Sequence, residues 1–412
     1  MVTDADIAPK PSKPDLLFLV QRIPYPPNKG EKIRHYQILK HLAARYTIYL
    51  GCLIDDPSDW DHVEKVQSFC AGTHFARLDR RKDALSHLGA LASGGALSVA
   101  LYRDSGLARW TSQILDAIRP SVVFVGSSNM APYVLDSATR DDRRIFDLVD
   151  VDSEKWRAYA EQASGPMRWL YRREARKVLA LERRIADGAD YCIFVSEAEA
   201  AMFRKLAPGH AERIIGVSNG VDAAYFDPAG DFSAPFDTAQ PNFVFTGTMD
   251  YVPNVDAVCW FANDILPIIR QSLADAQFWI VGASPAPAVQ ALAAIPGVHV
   301  TGRVPDVRPY LAHATVAVAP MRIARGIQNK VLEAMAMARP VIVTSDALEG
   351  IDATPGLELA LADDAATLAR AACRIAASPA EARALGLGAR RRVVTQFSWE
   401  GQLRGLDRLL GA

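Results

Sequence analysis

The chain has 412 residues, half of them hydrophobic, and carries 46 Lys and Arg against 47 Asp and Glu for a net charge of −1. This length exceeds one ordinary α/β domain and suits two of roughly 200 residues each, while the near-neutral balance argues against a dedicated nucleic-acid binder, which needs a basic excess. No run approaches the roughly 18 uninterrupted apolar residues of a membrane-spanning helix. The scattered cysteines (Cys52, Cys70, Cys192, Cys259 and Cys373) lack a C-x-x-C pair and sit mostly in apolar runs, which argues against a disulfide framework or a zinc site and for a reducing compartment.

Residues 1–14 are polar, rich in Pro and Lys and without an apolar core, so a disordered leader rather than a signal peptide is expected. From there short apolar runs alternate with amphipathic segments, the pattern of βαβ units. Strands are expected at 16–21, 47–54, 122–126, 145–148, 191–195 and 214–217, then at 243–247, 278–282, 298–302, 316–320 and 340–344. The runs are continuous rather than alternating, as for strands covered on both faces. Between the two sets, DPAGDFSAPFDTAQPN (227–242) reads as an interdomain linker. The expected organisation is an N-terminal doubly wound domain at 15–226, a linker at 227–242, a C-terminal doubly wound domain at 243–395, and a last helix at 396–412 crossing back to the first domain. Ligands in such sheets bind beyond the carboxyl ends of the strands, and two of them facing each other would form a cleft.

In the first half, RIPYPPNKGEKIR (22–34) follows the first strand. Asn28, Lys29 and Gly30 make a candidate acceptor loop, weighed evenly against a plain Pro/Gly turn, and His35 either faces the ligand or packs on its helix. FDLVDVDSEKW (146–156) places Asp147, Asp150 and Asp152 just past a strand end. Asp150 or Asp152 would orient an acceptor hydroxyl or take its proton; the competing reading has Asp152 or Ser153 cap the next helix. The basic segment 166–186 carries Arg168, Arg172, Arg173, Arg176, Lys177, Arg183 and Arg184 beside Trp169, Leu170 and Tyr171. It reads first as a solvated face balanced by Glu174 and Glu182, and second as a contact for anionic lipid.

The sharpest segment is RIARGIQNKVLEAMAMARPVIVTS (322–345). Gly326 precedes a helix expected from about Ile327 to Met337, rich in good formers. Its first-turn amides suit an anion, Lys330 adds a positive charge one turn in, and Glu333, three residues on, shares that face and can accept hydrogen bonds from two ribose hydroxyls. An ordinary surface pair is the plainer alternative. The glycine entry, the flanking strands and the Pro340 exit favour function.

This segment resembles the nucleotide-sugar signature of family-4 retaining GT-B glycosyltransferases, in which two glutamates lie eight positions apart and the motif ends E-A-M-A-x-G-x-P-V. Glu333–Ala334–Met335–Ala336 and Pro340–Val341 match; the first glutamate position holds Arg325, and the usual glycine is Arg339. VSNGVDAAYFDP (217–228), YCIFVSEAEA (191–200), TGTMDYVPNVDA (246–257) and TGRVPDVRPYLAHATVAVAP (301–320) resemble further family elements. MDYVPN, Trp260, DVRPYL and RGIQNKVLEAMAM together resemble the glycosyltransferases associated with PEP-CTERM/XrtA (exosortase) systems beside exopolysaccharide genes.

The resemblance implies an α/β GT-B fold of two Rossmann-like domains facing across a cleft. It implies a retaining hexosyltransferase-type enzyme without a tightly bound metal or other cofactor, using a UDP- or GDP-sugar as substrate and a glycan or lipid-linked saccharide as acceptor. Donor-binding residues would be Gly247, Thr248, Arg303, Arg322, Gly326, Ile327, Gln328, Lys330 and Glu333; catalytic ones Asp150, Lys330 and Arg325; acceptor-binding ones Asn28, Lys29, Gly30, His35 and Asp152. A cytoplasmic place, with peripheral contact to the inner membrane through 166–186, follows. The rival readings are a GT-B nucleotide-sugar epimerase and a non-catalytic sugar-nucleotide-binding assembly partner.

Overall fold

A computed structural model describes residues 13–27, 29–78, 95–135, 142–324 and 327–411. The chain divides into two compact units, Met1–Val217 with Leu403–Ala412, and Ser218–Gln402.

The first unit is built on β1 (Asp15–Val20), β2 (Thr47–Ile54), β3 (Gly72–Arg77), β4 (Val122–Gly126), β5 (Arg143–Val149), β6 (Tyr191–Phe194) and β7 (Ile214–Gly216). They form one parallel sheet in the order β3-β2-β1-β4-β5-β6-β7. Leu16 to Val20 are all fully buried on the central strand, which is why their run shows no alternation: helices cover both faces. Phe18 and Phe124, register partners on β1 and β4, stack at 5.2 Å. The switch in strand order falls between β1 and β4, where doubly wound sheets take their ligands.

The second unit repeats the plan with β8 (Asn242–Thr246), β9 (Gln277–Val281), β10 (Val298–Gly302), β11 (Val316–Ala319), β12 (Val341–Val343) and β13 (Ala360–Leu361), parallel in the order β10-β9-β8-β11-β12-β13. Two strands were not expected from the sequence, β3 and β13. Both lie at sheet edges; β3 is mostly half-exposed and β13 spans two residues, so neither presents the apolar run that marks a central strand.

The helices that position the candidate sites are α1 (Gly30–Ala43), α2 (Asp152–Gln162), α3 (Gly165–Gly188), α4 (Val252–Trp260), α5 (Asn329–Ala336) and α6 (Trp399–Leu410). α5 closes through Ala338 N–H to the Met335 carbonyl at 3.0 Å and Arg339 N–H to the Ala334 carbonyl at 3.1 Å. Ala338 takes the left-handed conformation there (φ 52°), a place that favours glycine. The chain from Leu403 onward groups with the first unit, where Asp407 meets His41 of α1 at 2.6 Å. No helix among the described residues is long and apolar enough to cross a membrane.

Candidate active site

In the second unit the site forms where β8 ends and α5 begins. Lys330, in the first turn of α5, aims its Nζ at the Asn254 Oδ1 of α4, 2.8 Å away, and lies 5.0 Å above the Phe245 ring. Gln328 Oε1 accepts a longer bond from the same ammonium at 3.4 Å. Asn254 is itself buried and donates through Nδ2 to the Thr248 carbonyl at 2.8 Å. One amide side chain thus ties the loop after β8 to the cation of α5.

The glycines here are demanded by contact. A Cβ at Gly247 would stand 2.7 Å from Asn254 Nδ2, and one at Gly282, after β9, would overlap the Gly247 carbonyl oxygen. Gln328 precedes α5 in extended conformation without capping it through its side chain. Val331 N–H is taken by the Gln328 carbonyl at 2.9 Å, and the helix N-terminus keeps the partial positive charge that suits an anion.

Lys330 and Glu333 shift in opposite senses. Burial lowers Lys330 to about 8 against the opposing pull of Glu333, and burial raises Glu333 to about 7 against Lys330. Both side chains nevertheless keep some surface open. A cation and a carboxylate that are poorly solvated but incompletely partnered are the groups a charged ligand would stabilise. Near Glu333, the exposed Tyr225 carries the Arg308 guanidinium 3.8 Å from its ring centre, and Arg308 is held by Asp306.

The other donor-side candidates spread out. Ile327 packs on the core of this unit, and Thr248 is exposed beside Asn254's bond to its carbonyl. Arg322 is occupied by a bidentate pair with Asp256 (3.0 and 2.5 Å) and sits 5.1 Å from the Trp260 ring. Arg303 is exposed after β10. Arg325, Gly326 and, in the first unit, Asn28 lie outside the described residues.

In the first unit, polar groups gather at the ends of β1, β4 and β5. Ser127 Oγ donates to Gln21 Oε1 at 2.6 Å, and Asn129 Nδ2 donates to the same oxygen at 2.9 Å. Ser128 Oγ donates to Asp152 at 3.0 Å, and Lys155 bridges Asp150 at 2.7 Å and Asp152 at 3.3 Å. Two backbone positions are strained: Ser127 at φ 82° and the β-branched Val149 at φ 67°, each costing about 1–3 kcal/mol. The β5–β6 register shifts between Asp147 and Val149, and such an irregularity re-aims the residue that follows, here Asp150.

Neither Asp152 nor Ser153 caps α2. Its N-cap is Val151, which makes no side-chain cap, and the free amides are met from afar: Val151 N–H donates to Glu199 at 2.8 Å and Ser153 N–H to Glu182 at 3.1 Å. Ser153 Oγ also donates to Glu182 at 2.5 Å, and burial raises that carboxyl to about 7.

Lys29 is exposed, 3.9 Å from Asp55, and Gly30 opens α1 with free space around it. His35 is 2 % exposed, its ring against Gly126 and its Nε2 3.5 Å from Asp147, so it faces the interior rather than a ligand. Asp147 is fully buried in a bidentate pair with Arg34 at 2.7 and 3.1 Å, and Arg34 donates a third bond to the Val217 carbonyl at 2.8 Å. Gln21, Ser127, Asn129 and Asn254 escaped the reading of the sequence. Asn254 had a usable signal, the MDYVPN run directly after Gly247; the other three are single polar residues at strand ends with no local pattern.

Comparison with known proteins finds a family match for part of the chain and structural matches for nearly all of it. Residues 240–378 match the family described as Glycosyl transferases group 1, and that stretch holds Gly247, Asn254, Lys330 and Glu333. Among solved structures, sucrose-phosphate synthase from Thermosynechococcus elongatus superposes with a TM-score of 0.64 at 18 % identity, covering 96 % of this chain and 98 % of that one. HepE from Anabaena in complex with UDP gives 0.66 at 13 %, covering 96 % and 99 %. WaaG, a glycosyltransferase involved in lipopolysaccharide biosynthesis, gives 0.65 at 16 %, covering 96 % and 100 %. No curated protein sequence matches the chain. The fold is GT-B, and within it the second unit carries the match to group 1 glycosyltransferases.

Proposed function

We propose that the chain transfers a sugar, with retention of anomeric configuration, from a nucleotide-sugar donor to a glycan or lipid-linked saccharide. The observation that carries the reading is the Asn254–Lys330 bond with Glu333 one turn away, set at the strand ends of the unit that matches the group 1 family. In this reading the α5 amides and Lys330 meet the diphosphate as the bond from the anomeric carbon to its oxygen breaks, and Glu333 accepts from the ribose hydroxyls. The acceptor oxygen bonds to the same carbon and passes its proton to the departing diphosphate, with Asp150 or Asp152 assigned to the acceptor hydroxyl from the sequence. Arg325, Gly326, Ile327, Gln328, Thr248, Arg303 and Arg322 are kept as donor contacts on the strength of the sequence resemblance.

The related HepE structures include complexes with UDP and with UDP-glucose, which supports a UDP-sugar as the first donor to try. The sequence resemblance to PEP-CTERM/XrtA-associated enzymes supports a role in exopolysaccharide assembly on the cytoplasmic side.

A thermal-shift panel of UDP-, GDP- and ADP-sugars tests the donor, because a ligand that prefers the folded protein raises its melting temperature. One sugar nucleotide should raise it, and Lys330→Ala should abolish that rise while lowering transfer by about 10²–10³-fold. Full transfer by both Lys330→Ala and Glu333→Ala would remove the site assignment.

A further inference from the structure

The basic helix α3 presents a surface that the transferase site leaves unused. Read from sequence, its arginines are balanced by Glu174 and Glu182. The structure takes both acids away from that face. Glu174 is buried and accepts from Leu97 N–H at 3.0 Å, Ser98 N–H at 2.7 Å and Ser98 Oγ at 2.7 Å. Glu182 is buried against Ser153. Glu174 is the sole acid between positions 165 and 180, so Arg168, Arg172, Arg176 and Lys177 are exposed and meet no carboxylate among the described residues.

Apolar groups stand among these cations. Trp169 is 62 % exposed, Met167 45 % and Tyr159 50 %. At 3.6 residues per turn, Trp169 projects within about 60° of Arg172 and Arg176 on the helix surface. Met167 lies in the first turn of α3, and Tyr159 in the last turn of α2, across the short connection between the helices. Behind them Trp156, Tyr159 and Tyr171 pack ring to ring at 5.6–6.1 Å and stiffen the hairpin.

An exposed indole and thioether ringed by uncompensated arginines are poorly matched to water. They are well matched to an interface where apolar groups enter the headgroup layer and cations meet lipid phosphates. We propose that the α2–α3 hairpin is a docking surface for an anionic phospholipid bilayer, with Trp169 and Met167 entering the headgroup region and Arg168, Arg172, Arg176 and Lys177 binding phosphates. This deepens the proposed function, since a lipid-linked saccharide would be met at such a surface. It is tested without donor or acceptor, so its failure is separable from failure of the transferase reading.

The full-length protein is co-sedimented with vesicles of phosphatidylcholine alone and of phosphatidylcholine mixed with phosphatidylglycerol. Binding should require phosphatidylglycerol and weaken with salt. Each cation near such a surface contributes roughly fivefold to binding, so R168E/R172E should lower it by more than about tenfold, and W169A should weaken it several-fold. All three side chains are exposed, and unchanged circular dichroism and melting temperature confirm that the variants fold. Equal binding to both vesicle types, or undiminished binding by R168E/R172E, would overturn the proposal. So would capture of soluble polyglutamate as tight as that of vesicles with no effect of W169A, which would assign the face to an acidic polymer.

Discussion

Each unit holds a basic and an acidic side chain near the ends of its strands, and the two pairs differ in how fully their charges are answered. Arg34 and Asp147 are both 0 % exposed and joined by two short bonds, with a backbone carbonyl taking a third. Burial alone would raise the Asp147 carboxyl, and the Arg34 guanidinium, with His35 beside it, holds it below the usual carboxylate range. Lys330 and Glu333 are desolvated without being so completely satisfied, and both drift toward neutrality. The first arrangement is satisfied within the fold; in the proposed reading the second awaits an outside charge. Burial alone does not separate a structural ion pair from a binding site. What separates them is whether the partners already in place meet the cost of burial.

That contrast is broken hardest at Arg34. Arg34→Ala leaves the Asp147 carboxylate buried without its main partner, a change worth about 3–5 kcal/mol. Chemical denaturation should show that loss in the transition of the first unit. Equal stability of the variant would mean that the pair is more hydrated than its geometry shows.

The second site should reveal itself through pH. Below Glu333's value of about 7 the carboxyl takes a proton and ceases to be a charged acceptor; above Lys330's value of about 8 the ammonium loses the charge that would meet diphosphate. The profile of kcat/KM should therefore rise to a maximum between these limbs and fall on either side, the two steps belonging to the coupled pair rather than to either residue alone. Glu333→Gln should remove the acidic limb. It should also lower kcat/KM by about 10–100-fold, the value of hydrogen bonds to a charged group. An acidic limb that survives this change would place the titrating acid elsewhere.

Much of this architecture is legible in residue pattern because parallel strands covered on both faces leave continuous apolar runs. Leu16–Val20 and Phe243–Phe245 announce themselves in that way. β3 and β13 do not, since an edge strand has one flank open and needs no such run. At the site, Lys330 and Glu333 are readable because three positions on a helix put them on one face. Asn254 reaches Lys330 from a residue 76 positions away, and no local spacing encodes that meeting. The strain at Ser127 and Val149 is equally hidden, because neither residue type advertises a positive φ. The acids of α3 mislead for a related reason: sequence proximity suggests that they answer the exposed arginines, while tertiary structure turns them inward, Glu174 to the amides of Leu97 and Ser98 and to the buried Arg173, and Glu182 to Ser153.

Asn254 offers the finest test of the comparison, because it makes the shortest bond to Lys330. If it positions the ammonium, Asn254→Ala should lower kcat/KM by roughly tenfold, about the value of one hydrogen bond to a charged group. Asn254→Asp should do something a packing role could not. A carboxylate 2.8 Å from Nζ favours the protonated amine, so the basic limb of the profile should move up by about one pH unit or more while the acidic limb stays with Glu333. The substituted site would then resemble Arg34–Asp147, a cation already answered from within, and its grip on the donor diphosphate should weaken as its charge becomes more secure. Uniform loss of activity at every pH in both variants would reduce Asn254 to a brace for the Thr248 loop.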